Sequence, residues 1–103
     1  MKLALHTGTL DLMKLTSKEL CNAIGIARDT IKHWRYGYYT DPVKGRVFYR
    51  EDKTGVPCVL RQTKAFNYYV YDLREVYQWI QSWSTESQKK NSLVKKMAEM
   101  LEE

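Results

Sequence analysis

The sequence predicts an α+β fold within one small domain, and three features carry that expectation. Two short helical segments occupy residues 17–35 and are separated by Gly25. A stretch rich in β-branched and aromatic residues fills residues 40–71. Two further amphipathic segments, one opening at Asp72 and one near Glu86, complete the chain. With 103 residues, 44% hydrophobic and 28% charged, the composition is that of an ordinary globular protein. A core this small gains stability from a partner or a second copy.

Residues 1–14 carry Leu3, Leu5, Leu10, Leu12 and Met13 without a sustained period and read as an N-terminal arm. Thr16-Ser17-Lys18-Glu19 then fits a capping box, with Thr16 as the cap and Glu19 reaching back to it. Leu15 and Leu20 stand where a hydrophobic staple would pack, and Gly25 stops the helix. A second helix from Ala27 to Arg35 places Ala27, Ile31 and Trp34 on one apolar face. Arg28, Lys32 and Arg35 repeat that spacing one residue later and form a neighbouring basic face. Tyr36-Gly37 ends this helix.

Asp41-Pro42 and Gly45 mark turns. Arg46 to Arg50 and Val56 to Arg61 are strand-like runs, and the link Glu51 to Gly55 between them predicts a hairpin. Asn67 to Tyr71 predicts a third strand. Asp72 and Glu75 predict another capping box, opening a helix with Val76, Trp79, Ile80 and Trp83 on its buried stripe. The last helix, from near Glu86 to Glu102, aligns Leu93, Val94, Met97, Met100 and Leu101. Lys89, Lys90, Lys95 and Lys96 are expected on its solvated face.

No apolar run approaches the ~20 residues needed to span a bilayer. His6 and Asp11 interrupt the N-terminal segment where a secretion signal is apolar, so a cytoplasmic location is expected. Cys21 and Cys58 stand far apart, with no Cys or His at ligand spacing. A disulfide framework and a structural zinc site are not expected, and each thiol reads as a packed side chain. His6 and His33 supply no nucleophile–base pair, and neither a glycine-rich phosphate loop nor a carboxylate cluster stands out. The expectation is a protein without catalysis, metal or cofactor.

The charge is concentrated. Between Arg28 and Lys64 lie nine basic and four acidic residues, so this middle third carries the whole net charge of +5. Trp34, Tyr36, Tyr38, Tyr39, Phe48 and Tyr49 interleave with the cations, the combination a phosphate-facing surface requires. Two short helices joined by a glycine turn also form a helix-turn-helix, whose second helix enters the major groove of DNA. Leu20, Ile24, Ile26, Ile31 and Trp34 are apolar where the two helices must pack, and Cys21 is small where they must approach.

In order along the chain, Thr16-Ser17-Lys18-Glu19-Leu20, Gly25-Ile26, Thr30-Ile31-Lys32-His33-Trp34, Gly37, Gly45-Arg46, Tyr71-Asp72, Val76 and Trp79-Ile80 resemble the winged helix-turn-helix of the MerR-like and excisionase group. The DNA-binding domain of phage terminase small subunits is similar. The resemblance covers residues 15–83; the arm (1–14) and the C-terminal amphipathic helix (84–103) fall outside it. It implies a winged helix-turn-helix with an extended β-hairpin wing, because Phe48 to Phe66 exceeds the wing of compact excisionases. It also implies the second helix in the major groove and the wing against the backbone or minor groove.

Roles follow from side-chain chemistry. Arg28 and Lys32 match guanine acceptors, while Asp29 suits cytosine or orients Arg28. Thr30 and His33 are candidates for bases or phosphates. Arg35, Lys44, Arg46, Arg50, Lys53 and Arg61 read as phosphate contacts, with Lys53 or Arg50 able to enter a minor groove. Tyr36, Tyr38 and Tyr39 exceed what a turn needs to pack, which leaves a contact with nucleic acid open. Trp34, Trp79 and Trp83 read as core.

The stripe Leu93, Val94, Met97, Met100 and Leu101 either folds back on its own domain or pairs with a second copy. A homodimer or cooperative array on DNA is favoured, since one small helix-turn-helix reads few base pairs. The expectation is a sequence-specific double-stranded DNA-binding protein of a phage or mobile element, an excisionase-like or transcriptional regulator with an integrase as a possible partner. The alternatives are the recognition subunit of a terminase, joined to its large subunit, and a protein–protein adaptor on the same fold. No membrane partner is expected.

Overall fold

The computed structural model describes residues 14–84 and 87–102. Helix α1 (Ser17–Ile24) starts where Thr16 Oγ1 accepts from the Glu19 N–H at 3.3 Å and the Thr16 N–H donates to Glu19 Oε1 at 2.9 Å. Both halves of the capping box are formed. Gly25 follows with φ 73°, a left-handed conformation that costs a side-chain-bearing residue energy, and its N–H donates to Cys21 O at 2.8 Å. The chain thereby turns within three residues into α2 (Arg28–Tyr36), which Ala27 precedes without a side-chain cap.

Two antiparallel sheets flank these helices. Strand β1 (Lys14–Thr16) pairs with β5 (Asn67–Asp72), and β5 pairs on its other edge with β4 (Val59–Gln62), giving the order β1-β5-β4. Strands β2 (Tyr38–Asp41) and β3 (Gly45–Phe48) form a separate two-stranded sheet. The fold is therefore mixed α+β, with four helices and two small sheets among the described residues.

The hairpin expected between Arg46–Arg50 and Val56–Arg61 is not formed, and the strands pair differently. Gly45–Phe48 turns back onto Tyr38–Asp41, and Val59–Gln62 pairs forward onto Asn67–Asp72. The physical reason lies in which turn is stabilised locally. Asp41 Oδ1 accepts from the N–H groups of Val43 and Lys44 at 2.8 and 2.9 Å, closing a tight turn after Pro42. Thr63 does the same for the second hairpin, accepting from Ala65 and Phe66 N–H while donating to Phe66 O. The segment 51–55 is committed elsewhere. Val56 N–H donates to Trp34 O at 2.8 Å, Trp79 Nε1 donates to Thr54 O, and a Cβ at Gly55 would collide with the Arg35 carbonyl. This stretch is a strap over the end of α2, not a hairpin loop.

Asp72 caps α3 (Leu73–Gln81), its carboxylate accepting from Arg74 and Glu75 N–H at 2.9 and 3.3 Å. Ser87 caps α4 (Gln88–Leu101) through Lys90 N–H. Leu20, Cys21 and Ile24 from α1, Ile31 and Trp34 from α2, Tyr71, and Leu73, Val76, Trp79 and Ile80 from α3 form one core. Its aromatic end is a cluster in which the Trp34, Trp79 and Trp83 rings lie 5.6–5.8 Å apart and Tyr49 stacks on Trp83 at 4.9 Å. Trp34 and Trp79 are core residues, and Trp83 is partly buried against them.

Helix α4 corrects two further expectations. Leu93 and Met97 are buried in the chain's own core, with Val94 and Leu101 packed against it; only Met100 of the stripe is exposed. The apolar face expected to join a second copy is spent on this domain, because Leu93 and Met97 join the same buried cluster as the residues of α1 and α3. Lys90 is not solvated but buried, its ammonium donating to Trp83 O at 3.3 Å, and Lys96 Nζ donates to Ile24 O at 3.4 Å. Lys96 stays exposed as expected, and both lysines carry their charge to a backbone carbonyl. Of the N-terminal arm (1–14), residues 1–13 lie outside the described residues.

Two measurements test this packing. Met97→Ala should cost about 2–5 kcal/mol in urea unfolding, the range for a fully buried large-to-small change; a cost below ~1 kcal/mol would show that α4 is not part of the core. Burial, reinforced by Tyr39, pushes the Tyr49 phenol up to about 12. Since the unfolded phenol ionises near ~10, the associated stability is intact below that pH and is lost as pH climbs towards the folded value. Tyr49→Phe should therefore lose less stability than the parent across that alkaline window, read as urea midpoints; parallel losses would contradict it.

Candidate nucleic-acid interface

At ~100° per residue, Ile31 and Trp34 define the inner side of α2, and the remaining residues divide between a crest and two flanks. Arg28, Lys32 and Arg35 descend one flank into a groove walled by the start of α1 and by the β4–β5 hairpin. Lys18 from α1 joins them, and Asp29 is the carboxylate on the same lining. The opposite wall carries Thr63, Asn67 and the ring pair Phe66–Tyr68, whose centroids are 5.6 Å apart. Four cations thus meet one acid across a surface edged with aromatics.

Arg28 and Lys32 are exposed. The ion pair found among the described residues, Arg50 Nη2 to Asp52 Oδ2 at 2.8 Å, lies elsewhere. Arg35 is held differently. Its Nη1 donates to Tyr71 Oη at 2.8 Å, and its guanidinium carbon sits 4.2 Å from the Tyr69 ring centre. Tyr71 Oη also accepts from Ser17 Oγ at 3.0 Å, which links α1, α2 and β5 through one phenol. Burial holds that phenol above its ordinary value against the opposing pull of Ser17 and Arg35. A phenol oxygen rather than a carboxylate receives the guanidinium, so its direction is set without a counter-charge.

The five residues expected to read bases do not share one surface. Arg28, Asp29 and Lys32 line the groove, whereas Thr30 and His33 turn to the other flank and face Tyr39 and Tyr49 across a cavity of ≈ 520 Å³. The residues expected at phosphates separate too. Arg46 lies on the β2–β3 hairpin over Tyr38, which stacks on Tyr36 of α2; Lys53, from the 51–56 strap, reaches the Phe48 ring, and Lys44 sits at the hairpin turn. Arg61 is exposed on β4, opposite Tyr68. Arg50 is paired with Asp52 and lies against Ser82 and Ser84 at the end of α3, away from the groove.

Sequence reasoning missed Lys18, Thr63, Phe66, Asn67 and Tyr68. Lys18 was legible only as the interior of a capping box, and the other four became neighbours of α2 only when β4 paired with β5. Among the described residues, no group of three or more His, Cys, Asp or Glu is placed to hold a metal ion. No helix among them is long and apolar enough to cross a membrane. Compared with known proteins, the chain matches no family model, no curated protein and no solved structure.

The Tyr71 node is testable. Tyr71→Phe leaves the ring in place but removes the acceptor shared by Ser17 and Arg35. A loss of about 1.5–3 kcal/mol in urea unfolding is expected for a hydrogen bond to a charged group; an unchanged midpoint would mean that Tyr69 alone positions Arg35.

Proposed function

We propose that this chain is a winged helix-turn-helix protein that binds double-stranded DNA in a sequence-selective manner and performs no catalysis. The observation that carries the reading is the convergence of Arg28, Lys32 and Arg35 on one groove beside a hairpin. In this reading α2 enters the major groove and β4–β5 is the wing, replacing the 46–61 hairpin expected from sequence. The resemblance of residues 15–83 to the MerR-like and excisionase group supports the same assignment.

The division of α2 assigns the roles. Arg28 and Lys32, exposed and unrestrained, reach base edges. Arg35, fixed by Tyr71 and stacked on Tyr69, meets a phosphate, where a preset direction sets register. Lys18 and Lys64, at the groove edge and the wing turn, add sequence-independent attraction. An excisionase-like or transcriptional regulator is the biological role favoured by the resemblance. A homodimer or cooperative array on DNA would have to use a surface other than Leu93 and Met97.

Replacing Arg28 and Lys32 together by Ala should erase preference among duplex sequences without changing the unfolding midpoint, since both side chains are exposed. Each lost base contact is expected to cost about 1–3 kcal/mol of discrimination, measured by competition between duplexes. Selectivity that survives the double change would reject α2 as the reading helix. Binding that responds to salt only weakly would point instead to a polypeptide partner.

A further inference from the structure

On the flank of α2 away from the groove, Thr30 and His33 face the β2–β3 hairpin and the start of α4 across the cavity of ≈ 520 Å³. Among the described residues, none lines both the cavity and the groove. A volume of this order lies within the range of about 300–1,000 Å³ that encloses one small organic molecule. Its walls are largely rings. Tyr49 lies 5.6 Å from Tyr39 with 50° between the planes, and 4.9 Å from Trp83 with 30° between them. Three aromatic side chains in succession thus line one concave surface. Trp83 adds an anomaly. Its indole N–H is buried without a hydrogen-bond partner among the described residues, a rare state for a donor and one that a ligand acceptor would relieve.

One end of the cavity is electropositive. Ser87, the N-cap of α4, and Lys89 in its first turn both line it, and that turn holds no acidic residue. A helix N-terminus favours negative charge, so Lys89 adds a cation where the helix dipole is already positive. His33 and Thr30 offer hydrogen-bond donors from the facing side. Among the described lining residues there is no carboxylate. A duplex presents a convex backbone, which a recess of this size does not take in. A single planar molecule with a negative group matches its shape, its rings and its charge.

We infer that this cavity is a binding site for one flat aromatic anion, with the ring held among Tyr39, Tyr49 and Trp83 and the charged group at Lys89 and the first turn of α4. The inference does not rest on the reading of α2 as a DNA-binding helix, since none of these four residues lines the groove. An occupant touches α2, the hairpin and α4 at once, so it stabilises the folded chain by mass action.

The test titrates the full chain with 2-naphthoate by calorimetry. Two analogues run beside it: 2-naphthamide keeps the rings without the charge, and cyclohexanecarboxylate keeps the charge without the rings. One naphthoate per chain is expected, bound about tenfold or more tightly than either analogue, with a melting temperature that rises with its concentration. Tyr39→Ala should weaken naphthoate and naphthamide alike, by about tenfold, whereas Lys89→Gln should weaken naphthoate alone. Melting without ligand checks that each variant folds, and Lys89→Gln, at an exposed position, decides the matter if Tyr39→Ala does not. Naphthoate that fails to bind the parent at millimolar concentration, or binds both variants unchanged, overturns the site. Equal binding of naphthoate and naphthamide overturns its anionic class. A short single-stranded oligonucleotide that binds through Tyr39 where naphthoate does not also overturns the inference, assigning the cavity to unpaired bases. Duplex binding by the same variants reports on α2 separately.

Discussion

Burial of Trp34 is the constraint on which the rest of the molecule depends. An isolated helix shorter than about 12–15 residues is marginal in water, and α2 has nine. It exists because Trp34, 1% exposed, is enclosed by Trp79 and Trp83 while its carbonyl accepts from Val56 N–H. Removing that indole would take away the inner wall of the helix. The helix is thus made by docking, and its outward residues inherit their directions from the docked side.

That inheritance explains how a surface of like charges persists. Arg28, Lys32 and Arg35 on one flank repel one another, and solvent screening keeps the cost small for the two exposed cations. Arg35, the least exposed, is the one given compensation by the Tyr71 oxygen and the Tyr69 face. Concentrating uncompensated positive charge in one place destabilises the compact state slightly.

Helix α4 has a structural consequence beyond sealing the core. Lys96 reaches the carbonyl of Ile24 at the last turn of α1, where the helix dipole favours a cation. The turn between α1 and α2 is therefore secured from the C-terminal helix as well as by Gly25. The residues that hold the two short helices in register are spread across the whole described chain, although the helices themselves are adjacent in sequence.

The interactions within about four residues were legible in the sequence. The Thr16–Glu19 box, the Gly25 stop, the Asp72 cap, the burial of Ile31 and Trp34, and the basic flank of α2 all follow from spacing, because helix period and capping are local chemistry. What only the tertiary structure decided was pairing over distance: which strands became partners, that residues 51–56 strap α2, and that Leu93 and Met97 turn inward. A β-rich run carries no record of its neighbour, and its partner is chosen by competing turns and by long-range docking, here the Asp41 and Thr63 turns and the close approach of Gly55 to Arg35. The basic flank was written in the helix; the wall that turned it into a groove came from a hairpin some thirty residues away.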